Sequence, residues 1–91
     1  MMMSLPNIKQ LIAENRLTEA LEALDAVVAS NPGDDEALFA RGKLNWRLDR
    51  RSEAVTDFEH ALAINPESPA ATALKMARDV FDYFNPDLLN P

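Results

Sequence analysis

The residues of this sequence predict an all-α chain, with two antiparallel helix pairs in series followed by a single fifth helix. Two observations carry that expectation. Apolar residues recur at spacings of three and four in five successive stretches, the period of one helical face. The chain also has an internal period: Ala20 and Ala54, Leu24 and Phe58, Val27 and Ala61, Asn31 and Asn65, and Pro32 and Pro66 are all 34 positions apart. A fixed period in a helical chain marks stacked units, each burying its apolar face on the next. The units expected are residues 1–34, residues 35–68, a fifth helix over about 69–84 and a tail at 85–91, all in one domain spanning 1–91.

The first helix starts at Ser4, Leu5 and Pro6, with Ser4 as N-cap and the proline in the first turn, where a missing N–H costs nothing. Leu5, Ile8, Leu11 and Ile12 form its apolar face, and Asn15 and Arg16 form a turn. A second helix is expected from about Leu17 to Ala29, with Thr18 as its cap and Ala20, Leu21, Leu24, Val27 and Val28 as its buried stripe. Ser30-Asn31-Pro32-Gly33 ends it, because proline disfavours helical geometry in the residue before it and glycine tolerates positive φ. Asp34 and Asp35 cap a third helix reaching about Leu48, their charge lying at the positive end of its dipole. Gly42 lies inside that helix at a cost of about 0.5 to 1 kcal/mol relative to alanine, which a close approach of Ala54 is expected to offset. The fourth helix, with Ser52 as its expected cap, turns Ala54, Val55, Phe58, Ala61, Leu62 and Ile64 inward and stops at Asn65-Pro66. Ser68 and Pro69 open a fifth helix, Ala70 through Phe84, whose apolar set is Ala73, Leu74, Ala77, Val80, Phe81 and Phe84. Met76 stands where Gly42 stood one unit earlier, a bulk expected to be tolerated because no sixth helix presses on it. In the tail, Leu88 and Leu89 are expected to cover apolar surface around Met76, Val80 or Phe84; the alternative is that Asp87 reaches the basic groove of a neighbouring molecule.

Composition narrows the function classes. A chain of 91 residues buries only about 60 to 65% of its unfolded surface, so modest stability is expected. Charge interrupts every apolar run well short of the roughly 20 residues that span a bilayer. The first residues lack the basic start of a secretory signal, which leaves a cytoplasmic location as the default. With no cysteine there is neither a disulfide framework nor a thiolate metal site. A net charge of −6 opposes non-specific attraction to nucleic acid or anionic lipid. Within that acidic chain, Arg41, Lys43, Arg47, Arg50 and Arg51 are expected to form a local positive patch. His60 stands alone, Asp34-Asp35-Glu36 lacks the alternation and glycine of a calcium loop, and no nucleophile elbow, phosphate loop or paired metal motif occurs. An enzyme is not expected, and neither a cofactor nor a metal is implied.

Leu38, Arg41-Gly42, Asn45, Ala54, Phe58 and Pro66 resemble the tetratricopeptide repeat at every spacing of its pattern. Three residue types depart from it: leucine for tryptophan at Leu38, Arg41 for leucine and Asn45 for tyrosine. Trp46 follows one position late. The preceding unit keeps the pattern mainly in its second helix and has Ile8 in place of glycine, so looser packing or a shifted register is expected there. The resemblance implies antiparallel pairs stacked into a right-handed superhelix. Its concave face, built from the first helix of each pair, usually binds peptides. The positions that would line it are Leu5, Lys9 and Ile12; Glu36, Phe39, Lys43, Trp46 and Arg47; and Ala70, Ala73, Ala77, Val80 and Phe81. Relatives that grip a chaperone's C-terminal carboxylate use basic and amide residues where this chain has Leu5, Lys9, Ala40, Ala70 and Leu74, so that clamp is not expected.

The candidate groove residues are therefore Lys9, Ile12, Phe39, Lys43, Trp46, Arg47, Ala73 and Ala77. Lys43 and Arg47 are four apart and share a helical stripe beside Phe39 and Trp46. One reading is a groove for an acidic protein or peptide with an apolar anchor, since Trp and Arg dominate interface energetics. The other puts Trp46 in the core against the fifth helix, the commoner fate of an aromatic at helical spacing, with the cations solvated or paired to Glu36, Glu14 or Asp79. The alternative function is a self-assembly module forming a homodimer, because stable arrays normally need three or more units. Nucleic acid and membrane are not expected partners.

Overall fold

The structure is a computed structural model that describes residues 3–84, with side chains through residue 79. Five helices follow one another: α1 (Leu5–Ala13), α2 (Leu17–Ser30), α3 (Asp35–Arg47), α4 (Arg51–Ile64) and α5 (Ala70–Phe84). Among the described residues there is no strand. Each helix packs on the next in sequence, which draws the molecule out to 50 × 28 × 18 Å. This is the α–α superhelical architecture of stacked antiparallel pairs.

Two turns make the hairpins, and they are built alike. Asn15 and Asp49, 34 positions apart, have φ of 62° and 65°. At the first, the Arg16 amide donates to the Leu11 carbonyl at 2.8 Å and the Asn15 amide to Ile12 at 2.9 Å. At the second, Arg50 donates to Asn45 at 2.8 Å and Asp49 to Trp46 at 3.1 Å. Both are Schellman closures, with Asn or Asp taking the left-handed residue that their short polar side chains tolerate. The next helix begins at once, so Arg16 and Arg50 close one helix and serve as N-cap of the following one. Thr18 and Ser52 therefore do not cap: each already lies inside its helix, and neither α2 nor α4 has a side-chain cap bond. The Arg16 guanidinium instead grips Glu19 in the first turn of α2, at 2.8 and 3.0 Å.

The connections between pairs also repeat. The Asp34 amide donates to the Asn31 carbonyl at 3.0 Å, and the Ser68 amide to Asn65 at 2.9 Å. Asp34 then caps α3, its Oδ1 accepting from the Ala37 amide, while the Ser68 hydroxyl accepts from the Ala70 amide at the start of α5. Ser4 accepts from the Asn7 amide at the start of α1. Gly33 does not use positive φ, which accords with the glutamate found 34 positions later at Glu67. A third hairpin corner in register with Asn15 and Asp49 would fall on Tyr83, but α5 runs through it.

The core has two parts. Ile8, Leu11, Ala20, Leu24, Ala37, Ala40 and Leu44 bury together where α1, α2 and α3 meet, and Leu38, Ala54, Phe58, Ala61, Ala70 and Leu74 where α3, α4 and α5 meet. Half-buried Val28 packs against both clusters. Ile64, expected to point inward, is 43% exposed, as the last residue of α4. Gly42 is filled differently from expectation. A Cβ built there would lie 2.6 Å from Phe58 Cε1 and 3.2 Å from Asp57 Cβ, so the glycine receives the Phe58 ring and not Ala54. The corresponding positions one unit earlier are Ile8 and Leu24, the two largest fully buried side chains. Glycine with phenylalanine in one pair and two branched aliphatics in the other are alternative ways of filling the same place. The contact of α3 with α4 is the most extensive in the molecule, and that of α1 with α2 the least among neighbours, as the missing glycine and the shorter α1 imply. The expectations for the Val80, Phe81 and Phe84 side chains and for Asp87, Leu88 and Leu89 fall outside the described residues.

Two stability measurements test this account. Asn15→Val should cost about 1 to 2 kcal/mol in urea denaturation, because a β-branched residue must take left-handed φ, whereas Asn15→Gly should be neutral or stabilising. Gly42→Ala should cost about 1 to 3 kcal/mol despite alanine's better helix propensity, and Phe58→Leu in the same chain should recover part of that loss.

Candidate functional site

Alternate helices α1, α3 and α5 line one side of the molecule, and the residues singled out above gather there. Lys9, Ile12, Lys43 and Arg47 line a cavity of about 390 Å³ together with Ala40 and Leu44. Trp46, Ala73 and Ala77 line a second, of about 340 Å³, with Lys43, Phe58 and Met76. Phe39 belongs to a third, which also includes Leu5, Lys9, Asp35, Glu36, Lys43 and Asn65. Lys43 is common to all three. Its Nζ lies 4.8 Å from the centroid of the Phe39 ring, and that ring packs tilted against Phe58 at 6.0 Å.

Helix geometry explains this gathering. Glu36, Phe39, Lys43 and Arg47 follow one another by three or four residues along the exposed face of α3, so they form one stripe. Among the described residues, no carboxylate lies within 4.0 Å of Lys9, Lys43 or Arg47. Glu14 and Asp79 are engaged by Arg16 and Lys75. Arg47 reaches only the Asn15 side-chain carbonyl, at 3.4 Å. Trp46 is half-buried: it packs against the α4–α5 core while Arg51 lies over its ring at 4.3 Å, and it also lines the second cavity. Ala70, counted as groove lining by resemblance, is fully buried.

The five basic residues near α3 do not form one patch. Lys43 and Arg47 face the groove, Arg51 covers Trp46 and bonds Asp49, and Arg41 points the opposite way into a polar cleft between α2 and α4. There Arg41 makes a two-pronged bond to Asp57, at 2.8 and 3.1 Å, and a third to Asp25 at 3.1 Å. Asn45 Nδ2 donates to the same Asp57 carboxylate at 3.0 Å. Asp57 is 3% exposed and Asn45 5%, yet no buried side-chain polar atom among the described residues lacks a partner. The Asp57 hydrogen bonds raise the Arg41 pKa above its ordinary value against the opposing effect of burial. Stability gained from a raised pKa holds below the unfolded value and is lost only above it, so Arg41 stays cationic at any working pH.

This network was missed because an acid at Asp57 looks solvated when only apolar periodicity is read. The signal lay in the two departures at Arg41 and Asn45, which are four apart and so share a face of α3. One unit earlier the equivalent residues of Asn45 and Asp57 are Leu11 and Ala23, an apolar solution at the same positions. Arg41→Leu alone should therefore cost about 3 to 5 kcal/mol, because it leaves the buried Asp57 carboxylate without its cation. The triple variant Arg41→Leu, Asn45→Leu, Asp57→Ala should regain most of that loss in urea denaturation.

Stacked antiparallel helix pairs with a groove along alternate helices define a helical-repeat protein. The family model of the tetratricopeptide repeat matches residues 9–79, and the chain belongs to that family. The solution NMR structure of a protein from Bacteroides fragilis is similar in fold, with a TM-score of 0.83 and 34% identity over 98% of this chain and 91% of that one. Among curated proteins, none matches. Repeats of this family are in general non-catalytic and mediate protein–protein interaction. Among the described residues, no helix is long and apolar enough to cross a membrane, and no group of three or more histidine or acidic side chains is placed to hold a metal ion.

Proposed function

We propose that this chain is a protein-interaction scaffold whose groove along α1, α3 and α5 takes an acidic peptide segment of a partner protein. The observation that carries the reading is the set Lys9, Lys43 and Arg47: three cations without a carboxylate partner among the described residues, at the rims of cavities with apolar floors, on a chain of net charge −6. Charges placed this way steer an oppositely charged segment and raise its association rate, while the apolar floors supply contact area. The carboxylate clamp of chaperone-tail binders has no counterpart, since Ala40, Ala70 and Leu74 are buried and carry no polar group.

A peptide array probed at low and moderate salt tests the proposal. Acidic sequences should be preferred, with the preference falling as salt rises. Reversing charge at Lys43 and Arg47 should weaken binding about tenfold or more, a loss of roughly 1.4 kcal/mol, whereas reversal at Arg50 and Lys75 should leave it within about twofold. Arg51 is unsuitable as a control because its guanidinium covers Trp46. An array without acidic preference rejects the proposal.

A further inference from the structure

The cavities beside Lys43 constrain the occupant beyond its charge. One lies between α1 and α3, with Ile12, Ala40 and Leu44 below a rim of Lys9 and Arg47. The other lies between α3 and α5, with Trp46, Phe58, Ala73 and Ala77 below an exposed Met76. Each is in the size range of small-ligand pockets. Met76 is the most exposed large apolar side chain among the described residues, at 63%, and it sits at the edge of this second cavity. Lys43 stands between the two, positioned over the Phe39 ring.

Resting on the groove reading above, we infer that the partner segment carries two large apolar side chains with an acidic residue between them. The carboxylate meets Lys43, and one apolar group enters the cavity on each side. The two cavities lie on either side of α3, a helix about 10 to 12 Å across with its side chains, so they are separated by about that distance. A polyproline-like chain advances about 3.1 Å per residue and returns to the same side every third residue. The pattern that fits is apolar, two residues, apolar, with Asp or Glu at an intervening position. Acid at the far end of the stripe is disfavoured, since Asp35 and Glu36 line the third cavity there.

Trp46 is the single tryptophan of the chain, so its emission reports on the second cavity. The probe is a synthetic Leu-Asp-Asp-Leu peptide flanked by glycine and serine, titrated against the full chain. It should shift the Trp46 emission and bind about tenfold or more tightly than peptides with either leucine changed to alanine or both aspartates to asparagine. Ala73→Leu, which narrows the second cavity, should weaken the parent peptide to the level of a one-leucine peptide. If thermal unfolding shows that variant to be misfolded, Met76→Glu at the exposed rim serves in its place. Acidic peptides that bind equally with and without the leucines would overturn the two-cavity inference and leave the groove reading intact. Absence of binding by every acidic peptide, including those on the array, would overturn both.

Discussion

The bidentate pair between Arg41 and Asp57 is the constraint on which the middle of this molecule turns. It joins α3 to α4 at the most extensive helix contact, and through Asp25 it extends to α2 in the preceding pair. A buried ion pair adds little net stability over an apolar filling of the same space, yet removal of one partner is severe. The buried Asp57 therefore depends on Arg41 and Asn45, and one unit earlier Leu11 and Ala23 stand at the positions of Asn45 and Asp57, with Asn7 at that of Arg41. Residues two positions apart along a helix lie nearly opposite around its axis, so Arg41 faces α4 while Lys43, and Arg47 four residues on, face the other way. The internal salt bridge and the groove are two faces of one helix.

Those faces also account for what could and could not be read in advance. Helix number, the proline stops and the apolar stripes were legible, because they depend on local spacing and on backbone groups that proline denies. The caps were less so. Thr18 and Ser52 have the right side chains, but the corners at Asn15 and Asp49 close so tightly that the helix has begun before those residues arrive. A cluster of basic residues in sequence became a fan in space, since successive helical positions point around the axis. The three-four spacing put Phe39, Lys43 and Arg47 on one stripe, whereas the cavities shared with α1 and α5 depend on how the helices stack, and Asp57 lay hidden because its partners are distant in sequence. Phe58 as the occupant of the Gly42 recess depends on side-chain length across two helices, which no local pattern contains.

Charge along the groove stripe of α3 runs from Asp35 and Glu36 at its N-terminal end to Lys43 and Arg47 near its C-terminal end. This order complements the helix macrodipole. The same arrangement gives the groove opposite electrostatic ends, so helix stability and the polarity of the groove draw on a single set of side chains.

The hairpin corners have a consequence for how such an array is propagated. Reversal of the chain after α1 and after α3 depends on one residue accepting a left-handed torsion, and both are short and polar. At the third equivalent position stands Tyr83, a bulky side chain for which that torsion is an outlier, and there the helix continues. Apolar content sets how strongly neighbouring helices adhere, whereas a single residue that tolerates left-handed φ sets where the chain reverses between them.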